Sequence, residues 1–109
     1  MDGAAGKRDW QVYIIGCDDG RLYTGITNNV ARRWREHSSS PLGAKFFRGR
    51  KPQQLLYVET GHDRSSASRR EAAIKRLTRI GKQALLSGEL NQIATQNWLA
   101  LEGIAETEI

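Results

Sequence analysis

Tyr13 and Tyr23 stand ten residues apart, in Val12-Tyr13-Ile14 and Tyr23-Thr24-Gly25, and Arg33, His37 and Glu71 follow them. A phenol pair, a phosphate-binding guanidinium, an imidazole and one carboxylate are the parts of a metal-dependent phosphodiesterase, and few other chemistries need them together. Each residue also has an ordinary reading. A strand tyrosine is commonly a half-buried aromatic with a satisfied hydroxyl. Arg33 lies beside Arg32 and Arg35 in an arginine-rich helix, and Ser68-x-x-Glu71 fits a capping box.

The chain carrying these residues is short and basic. Its 109 residues hold one domain with a modest core. The single cysteine, Cys17, cannot form an intramolecular disulfide. No signal peptide or membrane-length apolar run is visible, so the expectation is a cytoplasmic protein away from membranes. Net charge is +5, unevenly spread. Residues 1–31 carry three Lys/Arg against four Asp/Glu, residues 32–82 fourteen against four, and residues 83–109 none against four. A basic block between acidic ends is the electrostatic footprint of a polyanion binder, nucleic acid above all.

The elements that must position the site follow from pattern. Residues 1–9 lack periodicity and are expected to be a flexible N-terminus. Residues 10–16 and 21–26 are rich in β-branched and aromatic types, and Asp18-Asp19-Gly20 between them signals a hairpin. A two-residue loop would put the tyrosines on opposite faces. A three-residue loop with Gly20 left-handed pairs Cys17 with Arg21 and Tyr13 with Gly25, and both phenols then share a face. The second register is expected, with open space beside the Tyr13 ring at Gly25. Thr27, Asn28 and Asn29 offer caps for a helix to about Ser38, with Val30 and Trp34 inward and Arg33 and His37 at the boundary. Residues 38–53 read as loop with one helical turn, and Gln54 to Thr60 as a third strand. A helix from Ser65 puts Ala67, Ala73, Ile74, Leu77 and Ile80 on one side and ends at Gly81. Lys82 to Ser87 and residues 90–101 are expected to add helices. The whole is α+β: a small three-stranded antiparallel sheet flanked by helices, in the order β-β-α-β-α-α. Residues 10–88 are expected to be the catalytic domain if the site forms, and 89–109 a partly helical C-terminal extension.

Val12-Tyr13-Ile14, Tyr23-Thr24-Gly25, Arg33, His37 and Glu71, in this order around a hairpin, resemble the GIY-YIG nuclease superfamily, and its small stand-alone bacterial proteins in particular. The likeness runs from about Trp10 to Leu86. Val12 and Ile14 depart from the consensus around the first tyrosine. The resemblance implies hydrolysis of a nucleic-acid phosphodiester with one divalent cation, Mg²⁺ or Mn²⁺. Glu71 would be the metal ligand, since Mg²⁺ keeps several waters and needs only one or two carboxylates beside substrate phosphate. Arg33 would hold the scissile phosphate. A phenol with pKa near 10 needs a nearby cation or bound water to serve as base, and Tyr13 is preferred over Tyr23 for that role. His37 would shuttle a proton or bind phosphate. Lys45 lies where relatives carry a basic site residue. Asn91 is the loosely placed candidate for a polar residue that larger relatives present after the glutamate helix.

Arg32, Lys45, Arg48, Arg50, Lys51 and Lys75 complete the candidate nucleic-acid contacts. Phe46 and Phe47 read as core, and His62 is given no role. The function expected is a metal-dependent endonuclease on DNA, in repair or recombination of structured DNA. The alternatives are a non-catalytic module for branched DNA or structured RNA, or an interaction protein using its acidic C-terminal segment. One site requires Arg33 and Glu71 to share a face. A carboxylate that would repel phosphate is what a pure binder has no need of.

Overall fold

A computed structural model of the chain describes residues 8–39 and 42–100. Its elements are β1 (Trp10–Cys17), β2 (Leu22–Thr27), α1 (Val30–Ser39), a 3₁₀ turn (Lys45–Phe47), β3 (Pro52–His62), α2 (Arg64–Lys75), α3 (Arg79–Leu86) and a second 3₁₀ turn (Ile93–Thr95). The strands form an antiparallel sheet in the order β2-β1-β3, so the fold is α+β in the expected β-β-α-β-α-α order.

The hairpin takes the three-residue loop. Cys17 N–H donates to the Arg21 carbonyl at 2.9 Å, and Tyr13 pairs with Gly25 and Ile15 with Tyr23. Gly20 stands at φ +86°, a left-handed conformation that glycine adopts without cost from a Cβ. β1 is the central strand, covered on both faces, which explains its unbroken apolar run Val12–Ile15. Tyr13, Ile15 and Cys17 join Val30, Phe47, Leu55, Val58 and Trp98 on the α1 side. Val12 and Ile14 join Tyr57, Ala67 and Ile74 on the α2 side.

Helix ends differ in part from expectation. Asn29 caps α1 by accepting from Arg32 N–H at 3.0 Å. The capping box of α2 is Asp63 with Ser66, not Ser68 with Glu71, which frees the Glu71 side chain from that duty. α2 stops at Lys75, well before Gly81. Leu77 N–H turns back to Ile74 at 3.0 Å, and the Thr78 hydroxyl accepts from Gly81 N–H at 3.1 Å to begin α3. That restart resets the helical phase, so Leu77 (39 % exposed) and Ile80 (78 % exposed) face outward rather than into the core.

The helix expected over 90–101 does not form over 90–99, which holds the 3₁₀ turn at 93–95; Ala100 is helical, and residue 101 lies outside the described residues. Asn91 explains why. Its Nδ2 donates to the Leu56 and Leu86 carbonyls at 2.9 and 3.0 Å, and its Oδ1 accepts from Val58 and Ile93 N–H at 3.2 and 3.0 Å. With Gln92 N–H donating to the Val58 carbonyl at 2.7 Å, the segment covers the outer edge of β3 by hydrogen bonds that a helix would withhold. Of the N-terminal stretch, residues 1–7 lie outside the described residues, and Arg8 Nη1 donates to the Gly61 carbonyl at 3.2 Å. No helix of the described residues is long and apolar enough to cross a membrane.

Candidate active site

Gly25 decides where the Tyr13 phenol goes. A Cβ there would lie 2.5 Å from Tyr13 Oη and 2.7 Å from its Cζ, so the ring occupies the room a side chain would take. The space expected beside the ring is filled by the ring itself, which leans across β2 towards the free edge of the sheet. Tyr23 shares the face as the register requires, its ring centroid 6.2 Å from that of Tyr13. Around Tyr23 stand His37, Phe46 and Phe47, at 5.2, 5.2 and 5.0 Å between centroids. Phe46 and Phe47 are therefore part of the packed aromatic cluster, as their reading as core requires.

His37 is buried and its tautomer follows from its partners. A backbone amide can only donate, and Ala44 N–H reaches His37 Nδ1 at 3.2 Å. Nδ1 thus accepts, the proton sits on Nε2, and Nε2–H donates to Tyr13 Oη at 2.8 Å. Gly43 lets the loop come this close, since a Cβ there would stand 2.6 Å from the Glu36 carbonyl. Burial first, then the Arg33 charge, pull the His37 pKa down to about 4, so the imidazole is neutral at physiological pH. Burial and the neighbouring Tyr23 push the Tyr13 phenol well above its ordinary value, while Arg33 pulls the other way by charge and hydrogen bonding.

Arg33 is held in place by Nη1, which donates to Glu36 at 2.7 Å and to the Leu42 carbonyl at 2.9 Å. Its guanidinium also engages Tyr13 by charge and hydrogen bonding. Glu71 approaches from the other layer. It lies one turn from both Ala67 and Ile74, the buried stripe of α2, and α2 packs chiefly on β2 and β1. Its carboxylate is near enough to raise the Tyr13 pKa. The helices carrying Arg33 and Glu71 thus pack on opposite faces of the sheet, contrary to the shared face expected of one site, and what links the two residues is the Tyr13 phenol, whose titration feels both charges. Lys75 Nζ pairs with Glu71 at 3.1 Å, one turn along α2.

The other basic candidates scatter. Arg50 is a brace: Nε donates to Asp19 at 2.9 Å, Nη1 to the Phe46 carbonyl at 3.0 Å, and its guanidinium lies 4.6 Å from the Phe46 centroid. Arg32 donates to Asn28 at 3.1 Å and is otherwise exposed. Lys45, Arg48 and Lys51 are exposed on the loop between α1 and β3.

One group escapes sequence reasoning altogether. Glu59, buried on β3, accepts from Tyr57 Oη, from His62 Nε2 at 2.7 Å and from Arg70 Nε at 3.0 and 3.1 Å. Burial opposes its charge, but these hydrogen bonds overcome it and hold the carboxyl below its ordinary range. The cluster ties β3 to the residue immediately before Glu71 and so sets the angle of α2. Its only sequence signal is Tyr57 and Glu59 at i, i+2 on one strand face; the partners His62 and Arg70 have no telling spacing.

Whether these residues suit a cation can be judged from the donor set. Among the described residues no three His, Cys, Asp or Glu side chains gather to cage a metal. A lone carboxylate beside an open edge fits a hard, water-keeping ion such as Mg²⁺ or Mn²⁺ and not a tetrahedral zinc site.

The fold and its cluster define a small α+β domain with a phenol, imidazole and guanidinium on one side of a sheet edge and a carboxylate on the other. Residues 9–83 match the GIY-YIG catalytic domain, and the chain belongs to that family. It is similar to a UPF0213 protein of Desulfotalea psychrophila, 56 % identical over 77 residues that cover 71 % of this chain and 70 % of that one. A UPF0213 protein of Natronomonas pharaonis is 44 % identical over 81 residues, covering 74 % and 94 %. The solution NMR structure of the UPF0213 protein BH0048 from Bacillus halodurans shares 37 % identity, with a TM-score of 0.49 over 84 % of this chain and 95 % of that one.

Proposed function

We propose that the protein is a metal-dependent endonuclease that hydrolyses DNA phosphodiester bonds, on structured DNA of the kind met in repair or recombination. The observation that carries this reading is the Tyr13 phenol. It accepts from His37 Nε2 at 2.8 Å and feels both the Arg33 guanidinium and the Glu71 carboxylate. Glu71 would hold the cation, which when bound supplies polarisation of the phosphate and stabilisation of the leaving oxygen.

The chain's own residues do the rest. Arg33 presents its guanidinium to a non-bridging phosphate oxygen and offsets the charge that grows as the water oxygen bonds to phosphorus. Tyr13 first gives its phenolic proton to solvent, and the phenolate, stabilised by His37 Nε2–H and Arg33, then takes a proton from that water; the phosphorus–oxygen ester bond breaks on the opposite side, where the leaving oxygen is reprotonated from solvent. Neutralising Glu71 removes one of the charges that raise the phenol's pKa, which brings Tyr13 nearer to use as a base. His37, fixed as the Nε2–H tautomer, orients Tyr13 and stabilises its phenolate by donation. Tyr23 packs this ring pair in place. Arg32, Lys45, Arg48, Lys51 and Lys75 add phosphate attraction from the surrounding surface.

The test is a cleavage screen over duplex, single-stranded, flapped and junction DNA in Mg²⁺ or Mn²⁺, with Glu71→Ala as control. Cleavage by the parent and its loss in the variant is the expected result. Equal cleavage by both refutes the assignment of Glu71. Tight DNA binding with no cleavage of any substrate favours the non-catalytic module instead.

A further inference from the structure

The free edge of β2 runs from the Tyr13–Gly25 centre to a cavity which that centre does not use. The cavity measures about 250 Å³ and is lined by Arg21, Leu22, Phe46, Arg79 and Lys82, at the first residues of the strand. Leu22 and Phe46 give it an apolar wall, and three cations rim it. The Lys82 side chain makes no hydrogen bond or ion pair with another described residue, its backbone N–H alone being engaged by the Thr78 carbonyl. Among the described residues the Arg79 side chain donates to the Gly20 carbonyl alone, at 3.2 Å, a bond that ties the start of α3 to the hairpin loop. Arg21 meets Asp19 at 3.9 Å, and that carboxylate is already engaged by Arg50 at 2.9 Å. Phe46 is itself held rigid between Arg50 and Tyr23.

Under-compensated cations around an apolar wall suit a nucleotide: phosphate on the cations, sugar or base against the ring. Position narrows it further. β2 is an outer strand, so nothing in the sheet pairs with its far edge. From Gly25 to Leu22 the strand advances about 10 Å, a span that about one to three backbone phosphates cover.

We propose that this cavity is a second phosphate subsite, in which Arg79, Lys82 and Arg21 hold a phosphate about one to three nucleotides from the bond at Tyr13, so that the strand lies along the free edge of β2. The proposal rests on the nuclease reading for its numbering from the cut, but its binding can be measured without catalysis.

The experiment uses the full chain carrying Glu71→Gln, without metal, and fluorescence anisotropy on labelled DNA bearing single neutral methylphosphonates at successive positions. Arg79→Ala with Lys82→Ala should weaken binding about tenfold and flatten the slope of log K against log salt by about 1, the loss of one phosphate contact. One methylphosphonate position should reproduce much of that loss in the parent and add nothing in the double variant. Lys82→Glu, which removes no hydrogen bond, gives a second reading if the double variant melts early. Unchanged affinity in both variants, or methylphosphonate losses that simply add to theirs at every position, overturns the subsite. A wild-type protein that cuts nothing while this coupling persists overturns the nuclease reading and leaves the phosphate subsite standing.

Discussion

Gly25→Ala is the sharpest perturbation of the site, because its effect is steric alone. Unlike Gly20, Gly25 has no positive φ, so alanine's backbone fits. Its Cβ does not: it would lie 2.5 Å from Tyr13 Oη, 2.7 Å from Tyr13 Cζ and 2.9 Å from Tyr23 Cε2. Ordinary carbon contacts sit near 3.5 Å, so both rings must retreat by roughly 0.6 to 1 Å. Tyr13 is 2 % exposed among Val30, Phe47 and Val58 and has nowhere to go within a close-packed core. Overpacking of this kind costs about 1–3 kcal/mol. A retreat of the phenol also stretches its 2.8 Å bond to His37 beyond hydrogen-bond range, leaving buried polar atoms at a further cost of about 1–3 kcal/mol. A total near 3 kcal/mol lowers the melting temperature by about 12–24 °C in a domain of this size. Whatever protein remains folded should cleave about a hundredfold more slowly, the usual consequence of misplacing a catalytic group by about 1 Å. Differential scanning fluorimetry and single-turnover cleavage read the two effects. A Gly25→Ala protein with parental melting and parental kcat would refute the claim that the phenol occupies this space.

Three further expectations can be checked directly. The folded His37 pKa of about 4 lies below its unfolded value near 6.5, so the unfolded chain takes up a proton that the folded one refuses. His37's contribution to stability is complete above about pH 6.5 and should shrink by about 2–3 kcal/mol by pH 4.5; urea unfolding of the parent and His37→Asn at both pH values reads it, and a parent–variant difference independent of pH contradicts it. Glu59→Ala strands Tyr57, His62 and Arg70 and should destabilise by about 3 kcal/mol, with Glu59→Gln milder; equal melting of Glu59→Ala and parent would show that the cluster does not hold α2. Lys75 is half exposed and competes for Glu71 through a pair worth at most about 1 kcal/mol. Lys75→Met should therefore tighten Mn²⁺ binding by about two- to fivefold in calorimetry without DNA, and weaker binding would mean that the lysine does not compete with the metal.

The sequence by itself determined what local chemistry determines. Asp18-Asp19-Gly20 signalled a hairpin of two or three loop residues, and the expected three-residue loop is the one formed; its register puts Tyr13 opposite Gly25 and both tyrosines on one face, because side chains alternate with period two. The β-branched and aromatic content of β1 and the Asn29 cap likewise followed from short-range pattern. The turn at Arg76–Thr78 was less legible: the apolar spacing through Leu77 and Ile80 mimics a continuing helix, and only the Thr78 cap interrupts it. The edge-covering role of Asn91 depends on carbonyls and amides of β3, 33 and 35 residues away, which no local pattern records.

The tertiary structure alone decided the chemistry of the cluster. His37's tautomer depends on an amide brought by the loop at Gly43 and Ala44, and the charge that Tyr13 feels from Glu71 depends on α2 packing against β2 and β1. Protonation states and charge couplings fall with distance through space and with loss of solvent, not with separation along the chain. The residue types were therefore visible in the sequence, while their working geometry waited on the packing of the sheet.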